Sequence, residues 1–411
     1  MERHIKISAD QSLVRKTNQR LVLDAIWRHG PVSRTRLARM LSMSKPAVSD
    51  NLSRLLDWGI IREKAPVKIK SGRKPIPVEG NREFLYIFAI DLNYKDPVFA
   101  IGNLGGEILD DLSITVSPES SPETRISLVE NAIRLMLSAH NLTPQQFYCI
   151  GISSPGIYSD KNDVYDAEDN RAIFDKTLKN NIVEYLQQKF SLPVFIKNDA
   201  NTGVVGEFLY GTGQGIDNLL YLCCGEGIGA GIILNGKLYE GNDYFAGNLS
   251  EYVDPRRLKA GKTVEECICT AGLLEGIRTA LSNGADSCLS PIPPEKITFK
   301  EVVSAYERGD PPVLEILGEI AGEIACMALS LASFLSLRTV IIGGEYMVFR
   351  DFLIPRIREV FEKYRFSAEV TGTFLKKPAG LYGVLGIARN RLFEEICGRI
   401  NPQETRFGPR L

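Results

Sequence analysis

The chain of 411 residues is too long for one hydrophobic core, and its composition, 44% apolar and 24% charged, is that of an ordinary globular protein. No run of 18 apolar residues predicts a transmembrane helix, and the charged N-terminus lacks the apolar segment of a signal peptide. The eight cysteines do not show the regular spacing of a small disulfide-rich domain. They predict reduced thiols in the cytoplasm.

The net charge of −1 conceals an asymmetry between the N-terminal fifth of the chain and the rest. Residues 1–82 carry 18 basic and 7 acidic side chains, a balance of +11, whereas the remainder carries 31 and 43, a balance of −12. A basic module attached to an acidic body indicates a polyanion partner for the module alone. The alternative is a lysine-rich domain whose charges are simply solvated.

Three helices are predicted within the basic module. The first spans residues 17–29, where apolar side chains recur at helical spacing, and it ends before Gly30. Ser33 is placed to cap a short second helix, and Ser44 a third, which Gly59 closes. A short helix, a tight turn and a longer helix are typical of the helix-turn-helix motif, whose second helix enters the major groove of DNA.

A basic wing follows the third helix. Strands predicted at 60–63 and 76–79 flank a Ser-Gly tip whose cations suit the negative potential of a minor groove. Short or polar side chains at the start of the third helix allow close approach to base edges, and arginines one element earlier can contact phosphate. The candidate DNA-binding residues are Arg34, Arg36, Ser44, Lys45, Ala47, Ser49, Asp50, Arg54, Lys70, Arg73 and Lys74. A protein-interaction module remains the alternative.

The acidic body alternates buried strands with helices, which predicts an α/β fold. An opening hairpin occupies residues 85–115, an amphipathic helix 124–139, and a long helix about 311–336. The strands end in Gly, Asn or Asp, so polar groups converge at the carboxyl edge of the sheet. Ligands bind at that edge in open α/β sheets.

Six motifs in order, DL-x-x-K, SPG, NDAN, G-x-GIGAG, AG-x-x-x-x and GGE, resemble the ROK family, which groups sugar kinases with sugar-responsive repressors. The head, from QSLVRKTNQR to IIRE and followed by SGRKP, resembles the xylose-repressor type of ROK regulator. The resemblance implies a winged helix-turn-helix domain joined to an actin-like (ribonuclease H-like) two-lobed body with the sugar in its cleft. It implies a head at 1–82, a small lobe at 83–200 and a large lobe at 201–411, with the C-terminal helix returning to the small lobe.

Two loops depart from the pattern of the ROK kinases. The kinase motif DLGGTK reads DLNYKD here, so Asn93 and Tyr94 place side chains where a glycine pair lets backbone N–H groups approach phosphate. The kinase motif G-T-G becomes G-E-G, and the carboxylate of Glu226 would repel a γ-phosphate. We therefore expect no kinase activity and no cofactor. The alternatives are loops that accept ATP in a shifted pose and a sugar kinase with an appended DNA-binding head.

The resemblance also implies a ligand site. Asn198 and Asp199 match a pair that hydrogen-bonds the sugar, although they can equally cap the helix that follows. Asn248 and Glu251 replace a sugar-binding glutamate and a histidine of the family motif AGE-x-GH, and Glu265 aligns with its last sugar-binding glutamate. The candidate ligand-binding residues are Ser154, Pro155, Gly156, Asn198, Asp199, Glu226, Asn248, Glu251 and Glu265. Their excess of carboxylates leaves a cationic ligand open.

No metal site is expected. The family's zinc ligands are that histidine and three cysteines, but the corresponding stretch, 256–263, contains none. Cys267 and Cys269 are expected to pack on a helix instead. The expected partners are double-stranded operator DNA, a sugar or sugar derivative as effector, and further copies of the chain in a homodimer or a tetramer, with no membrane. A regulator that responds to a protein partner is a further alternative.

Overall fold

The computed structural model describes residues 11–66, 75–92, 96–117, 120–158, 176–250 and 263–398. Several predictions fall outside these ranges and stay predictions. They concern Lys70, Arg73 and Lys74 of the wing, Asn93 and Tyr94 of the first loop, Glu251, and most of the stretch 256–263.

The N-terminal domain, called the head below, contains three helices and a small antiparallel sheet. Its elements are α1 (Gln11–His29), β1 (Val32–Ser33), α2 (Arg34–Met40), α3 (Lys45–Asp57), β2 (Ile61–Glu63) and β3 (Pro77–Gly80). The strand order β1-β3-β2 makes β2 and β3 the two strands of the wing. The hydroxyl of Ser33 accepts from the backbone N–H of Arg36, and that of Ser44 from Ala47, each at 3.3 Å. Both predicted caps are therefore confirmed.

The body contains two five-stranded sheets of the same topology. The first lobe has β4 (Tyr86–Asp91), β5 (Val98–Asn103), β6 (Ile108–Ser113), β7 (Phe147–Ser154) and β8 (Val194–Asn198), with α4 (Pro122–Ala139) and α5 (Lys176–Phe190). The second lobe has β9 (Leu219–Cys224), β10 (Ile228–Leu234), β11 (Lys237–Leu238), β12 (Thr339–Gly343) and β13 (Glu369–Gly372). Its helices are α7 (Val264–Ile268), α8 (Thr270–Ser282), α9 (Phe299–Glu307), α10 (Pro311–Phe334) and α11 (Arg350–Lys363).

Each sheet consists of an antiparallel meander of three strands followed by two parallel strands. The orders are β6-β5-β4-β7-β8 and β11-β10-β9-β12-β13, so the second lobe repeats the first. Two such sheets with a cleft between them form the actin-like body, and the predicted fold class is confirmed.

Two further helices, α6 (Asp199–Tyr210) and α12 (Ala379–Gly398), pack against each other where the two lobes meet. α6 follows a strand of the first lobe but packs on β9 and β10 of the second. α12 follows the second lobe but packs on β4 and β7 of the first, opposite α4 and α5. The first sheet is thus covered on both faces, which explains why all eight residues of β7 are buried.

The head is continuous with the body. One hydrophobic cluster joins buried side chains of α1 and α3 to those of α12, including Ile26, Leu52, Leu392 and Phe393. Helix α1 begins at Gln11, six residues before the predicted start, and its first turns expose Leu13 and Val14. The first turns of α1 show no apolar side chains at helical spacing, because this part of the helix runs past the core of the head towards the end of α12.

Helix α10 has the length and composition of a membrane span, although it contains no unbroken run of 18 apolar residues. It instead forms part of the core of the second lobe, where Leu317, Ile324 and Ala328 are fully buried. Glu315 and Glu319, one turn apart, lie on its exposed side. This arrangement is that of a core helix with one solvated face.

Candidate ligand site and nucleic-acid interface

A cavity of about 880 Å³ lies between the lobes, at the carboxyl ends of the central strands and the first turns of α6 and α12. Of the predicted ligand-binding residues, seven line its wall: Pro155, Gly156, Asn198, Asp199, Glu226, Asn248 and Glu265. Ser154 does not. It is fully buried, and its hydroxyl donates to the carbonyl of Pro155 at 3.4 Å. Ser154 was predicted to bind ligand, but β7 places its side chain inside the protein and away from the cavity wall.

Asn198 connects the cavity wall to α6. Its side-chain oxygen accepts from the backbone N–H of Asn201 at 3.0 Å, which caps the helix, and its amide donates to the carbonyl of Gly156 at 2.9 Å. Asp199 follows in the first turn, where its Oδ1 accepts from the N–H of Ala200 at 2.9 Å. The capping role weighed for Asn198 is therefore real, and both residues also line the cavity.

Asn248 is positioned by a backbone crossing. Gly247 has φ of +83°, and a Cβ there would lie 1.8 Å from the carbonyl oxygen of Ala230, so only glycine fits. The N–H of Ala230 donates to the carbonyl of Gly247 at 2.8 Å. The oxygen of Asn248 accepts from the backbone and the hydroxyl of Ser250, at 3.2 and 2.8 Å. Its amide nitrogen is the group that remains for a ligand oxygen.

Glu265 lies in the first turn of α7 and is only 6% exposed. Its Oε1 accepts from the backbone N–H of Ile228 at 3.1 Å, which joins the helix to the start of β10. A carboxylate held by a backbone donor presents its second oxygen in a fixed direction. Such an oxygen is an acceptor suited to a ligand hydroxyl.

Asp91 is the last residue of β4 and was not predicted to bind ligand. It lies on the cavity wall, 8% exposed. Burial disfavours the charged carboxylate and the nearby carboxylate of Asp199 adds repulsion, which together raise the pKa of Asp91 to about 7. Asp91 is therefore a hydrogen-bond donor below neutral pH and an acceptor above it.

Other lining residues were also missed. Glu345 belongs to the GGE motif, which could have suggested it, and its Oε2 accepts from the hydroxyl of Thr270 at 3.3 Å. Tyr244 and Lys377 belong to segments without a motif. The Nζ of Lys377 donates to Asp111 at 2.8 Å, so the two side chains form an ion pair.

The predicted DNA-binding surface centres on α3. Its inward face, Val48, Leu52 and Leu55, is fully buried, and Lys45 and Asp50 are exposed near its first turn. The remaining predicted side chains differ in their exposure to solvent. Ser44 is exposed, Ala47, Ser49 and Arg54 are half-buried, and Arg36 is exposed on α2.

Two of the predicted arginines are engaged in ion pairs. Arg34 contacts Glu63 of the wing at 3.0 Å, and Arg54 contacts Asp50 at 3.3 Å along α3. DNA phosphate would have to compete with these carboxylates for the two guanidinium groups. Arg39, exposed in the last turn of α2, was not predicted and lies near the same surface.

A winged helix-turn-helix head fused to a two-lobed, kinase-like body defines a class of proteins that combine DNA binding with a small-molecule cleft. The chain belongs to the ROK family, whose model matches residues 87–388, and the MarR family model matches residues 16–68 of the head. The family predicted from the motifs is thus confirmed.

Two curated relatives of this chain are named as xylose repressors. The chain is 26% identical over 374 residues to the xylose repressor of Caldicellulosiruptor bescii, covering 88% of this chain and 91% of that one. It is 31% identical over 241 residues to the xylose repressor of Bacillus spizizenii, covering 59% and 61%. A crystal structure of a ROK family transcriptional regulator, a homologue of the E. coli MLC protein, matches with a TM-score of 0.75 at 19% identity and covers 93% and 98%.

Proposed function

We propose that the protein is a sugar-responsive DNA-binding repressor whose body binds the sugar without phosphorylating it. The observation that carries the proposal is the direct packing of a winged helix-turn-helix head on a body whose cavity contains Asn198 and Asp199. The xylose repressor of Caldicellulosiruptor bescii, whose match covers 88% of this chain, supports it.

The wall of the cavity suits a polyhydroxyl ligand. Asp199 and Glu265 offer carboxylate oxygens, Asn248 offers an amide, and each charge-assisted hydrogen bond contributes about 1.5–3 kcal/mol. Apolar ring faces of a sugar can pack on Pro155 and Ile157. Because Asn248 stands where kinases have glutamate, we propose a preference that differs from that of a glucose site. The carboxylates of Asp199, Glu226 and Glu265 on the same wall keep amino sugars among the candidates.

Phosphoryl transfer is not supported by the second loop. Glu226 lies on the cavity wall beside Gly225 and Gly227, the loop that corresponds to G-T-G of the kinases, where a carboxylate would repel a γ-phosphate. The second candidate, a sugar kinase with a head, is favoured by Asp199, which keeps the position of a catalytic base at the start of α6.

The head requires a partner of its own kind. One recognition helix makes few base contacts, so we propose a cytoplasmic homodimer that presents two copies of α3 to a pseudo-palindromic site, with half-sites about 34–36 Å apart. A tetramer made of two such dimers is the alternative. The proposed domain boundaries are those drawn from the sequence, at 82 and 200.

The test begins with selection of binding sequences from a random DNA pool by the full-length protein. Binding of D-xylose, D-glucose and D-glucosamine is then measured by calorimetry, and operator affinity is measured with and without each sugar. We expect one sugar to bind and to weaken operator binding at least fivefold. Failure to select any DNA would refute the proposal, and turnover of ATP with a bound sugar would establish the kinase instead.

A further inference from the structure

Two helices, α6 and α12, begin at the cavity and end near the head. Asn198 and Asp199 stand at the start of α6, and Ala379 and Gly380 begin α12 on the same wall. A Cβ on Gly380 would lie 2.5 Å from the carboxylate of Asp91, so the first turn of α12 is pressed against the cavity's acidic wall. A ligand that moves these groups moves the first turns of both helices.

The helices touch backbone to backbone. A Cβ on Gly383 would lie 1.7 Å from the carbonyl oxygen of Thr202, and one on Gly206 would lie 2.3 Å from that of Ala379. No side chain separates the helices at these points, so a displacement of one helix here is passed directly to the other. Closely packed interfaces of this kind move between discrete arrangements and do not deform continuously.

The far ends of the helices meet the head through three side chains. The guanidinium of Arg389 on α12 lies 5.3 Å from the ring of Tyr210, the last residue of α6, and 5.9 Å from the ring of Trp27 on α1. The ring of Trp27 also lies 5.5 Å from that of Phe393. Arg389 is thus placed between the end of the helix that starts at Asp199 and the head.

A second contact holds the head on α12 independently. Arg20 of α1 donates to the carbonyl and to the side-chain oxygen of Asn390, at 3.3 and 3.2 Å, and lies over the ring of Phe393. By contrast, the Nε of Arg389 is buried and has no hydrogen-bond partner within the part of the chain that the structure describes. Arg389 is therefore held by ring faces, which allow it to slide, whereas Arg20 anchors the head.

We propose that Arg389 is the positioning residue that couples the cavity to the head, by carrying a displacement of α6 from Tyr210 to Trp27. The inference rests on the proposed function, since it assigns the regulation of that site. A ligand changes the orientation of the head only if it binds the two arrangements with different affinity. Contact of its hydroxyl groups with Asp199 at the start of α6 supplies that difference.

The chain carries its own reporter for this coupling. Its two tryptophans, Trp27 and Trp58, both lie in the head, whereas the cavity lies in the body. In a Trp58→Phe background, the emission of Trp27 reports the contact with α12. Calorimetry with D-xylose, D-glucose and D-glucosamine reports occupancy of the cavity independently.

We expect a sugar that binds by calorimetry to shift the emission of Trp27. Arg389→Gln should abolish the shift and leave the sugar Kd within about fivefold, the range of a modest coupling factor. The matched control is Arg391→Gln, two residues along α12, whose guanidinium lies 4.4 Å from the ring of Phe195 in the body. Binding without a shift, or a shift that survives Arg389→Gln, overturns the inference.

A second arm needs no sugar. A Cβ on Gly386 would lie 2.4 Å from a terminal methyl of Leu209 and 3.6 Å from the ring of Tyr210, so Gly386→Ala should repack the side chains at the end of α6, beside the contact of Tyr210 with Arg389, without preventing folding. We expect it to shift Trp27 emission, and Gly318→Ala, which has open space around it in α10, to leave it unchanged. If none of the three sugars binds, that result counts against the proposed function alone. If Gly386→Ala leaves the emission of Trp27 unchanged, that result counts against the coupling.

Discussion

Lys197 of the first lobe and Glu240 of the second form an ion pair of 3.0 Å across the cleft. The side chain of Lys197 is only 5% exposed, and its ammonium group also lies 5.1 Å from the ring of Tyr244. Tyr244 lines the cavity and has φ of +66°, a conformation that a tyrosine rarely adopts. The loop between Glu240 and Asn248 is therefore fastened to the strand that carries Asn198.

We predict that Lys197→Met weakens sugar binding by about tenfold, because the loss of the cross-lobe contact releases Tyr244 from the cavity wall. Calorimetry with the sugar that binds the parent protein measures the change. The matched control is Lys189→Met, an exposed lysine on α5, which should leave the Kd unchanged. Equal affinity of the two variants would show that the ion pair does not position the loop.

The burial of Asp91 predicts a dependence of stability on pH. Its pKa of about 7 in the folded protein exceeds the 3.8 of an unperturbed aspartate, so the folded state binds the proton more tightly. The stability that the neutral carboxyl contributes is complete below pH 4 and is lost as the pH rises from 4 to 7. Above pH 7 the buried charge costs roughly 4 kcal/mol, because each pKa unit corresponds to about 1.4 kcal/mol.

Asp91→Asn should therefore raise the melting temperature at pH 8 and change it little at pH 4. Thermal unfolding of the ligand-free protein at both pH values measures the difference. Asp286→Asn, an exposed position after α8, serves as the control for loss of one charge. A variant no more stable than the parent at pH 8 would contradict the assigned cost of ionisation.

Local chemistry explains which features could be predicted from the sequence. Caps such as Ser33 and Ser44 act within three residues, so their pattern is visible in the chain. The first turns of α1 could not be predicted, because they run past the head core towards α12, some 370 positions away in the chain, where Arg20 meets Asn390. Contacts of that separation leave no periodic signal in either segment.

The same distinction applies to the cavity. The position of three lining residues could be predicted, because strand ends converge in an α/β sheet and these residues lie at or just after strand ends: Asn198, Asp199 and Glu226. Ser154 also ends a strand, but the pleat decides which side a residue faces, and the sequence does not show the pleat relative to the cleft. Lys377 comes from a loop that only the return of the chain brings to the site.

Asn248 offers a test of ligand choice. Its oxygen is engaged by Ser250, which leaves the amide nitrogen as a donor towards the cavity. Asn248→Glu replaces this donor with acceptors, so we expect weaker binding of sugars that present an acceptor there, by about tenfold, and stronger binding of D-glucosamine. Calorimetry with the three sugars measures the ratio. An unchanged ratio would exclude Asn248 from selecting the ligand.

The last prediction concerns the head and the basic wing. Arg73 lies outside the described residues, in the Ser-Gly tip that the sequence predicts for a minor groove. Arg73→Ala should weaken binding to the selected operator and lower the salt slope of log K by about 1, because one fewer cation is released from DNA. Fluorescence anisotropy from about 50 to 200 mM salt measures both quantities.

Lys237→Ala is the control for this charge change, since Lys237 is an exposed cation of the second lobe, far along the chain from the head. It should alter neither affinity nor slope if the acidic body makes no contact with DNA. An Arg73→Ala variant with the slope of the parent would remove the wing from the interface. It would leave Lys45 and Arg36, exposed on α3 and α2, as the cations that neutralise phosphate.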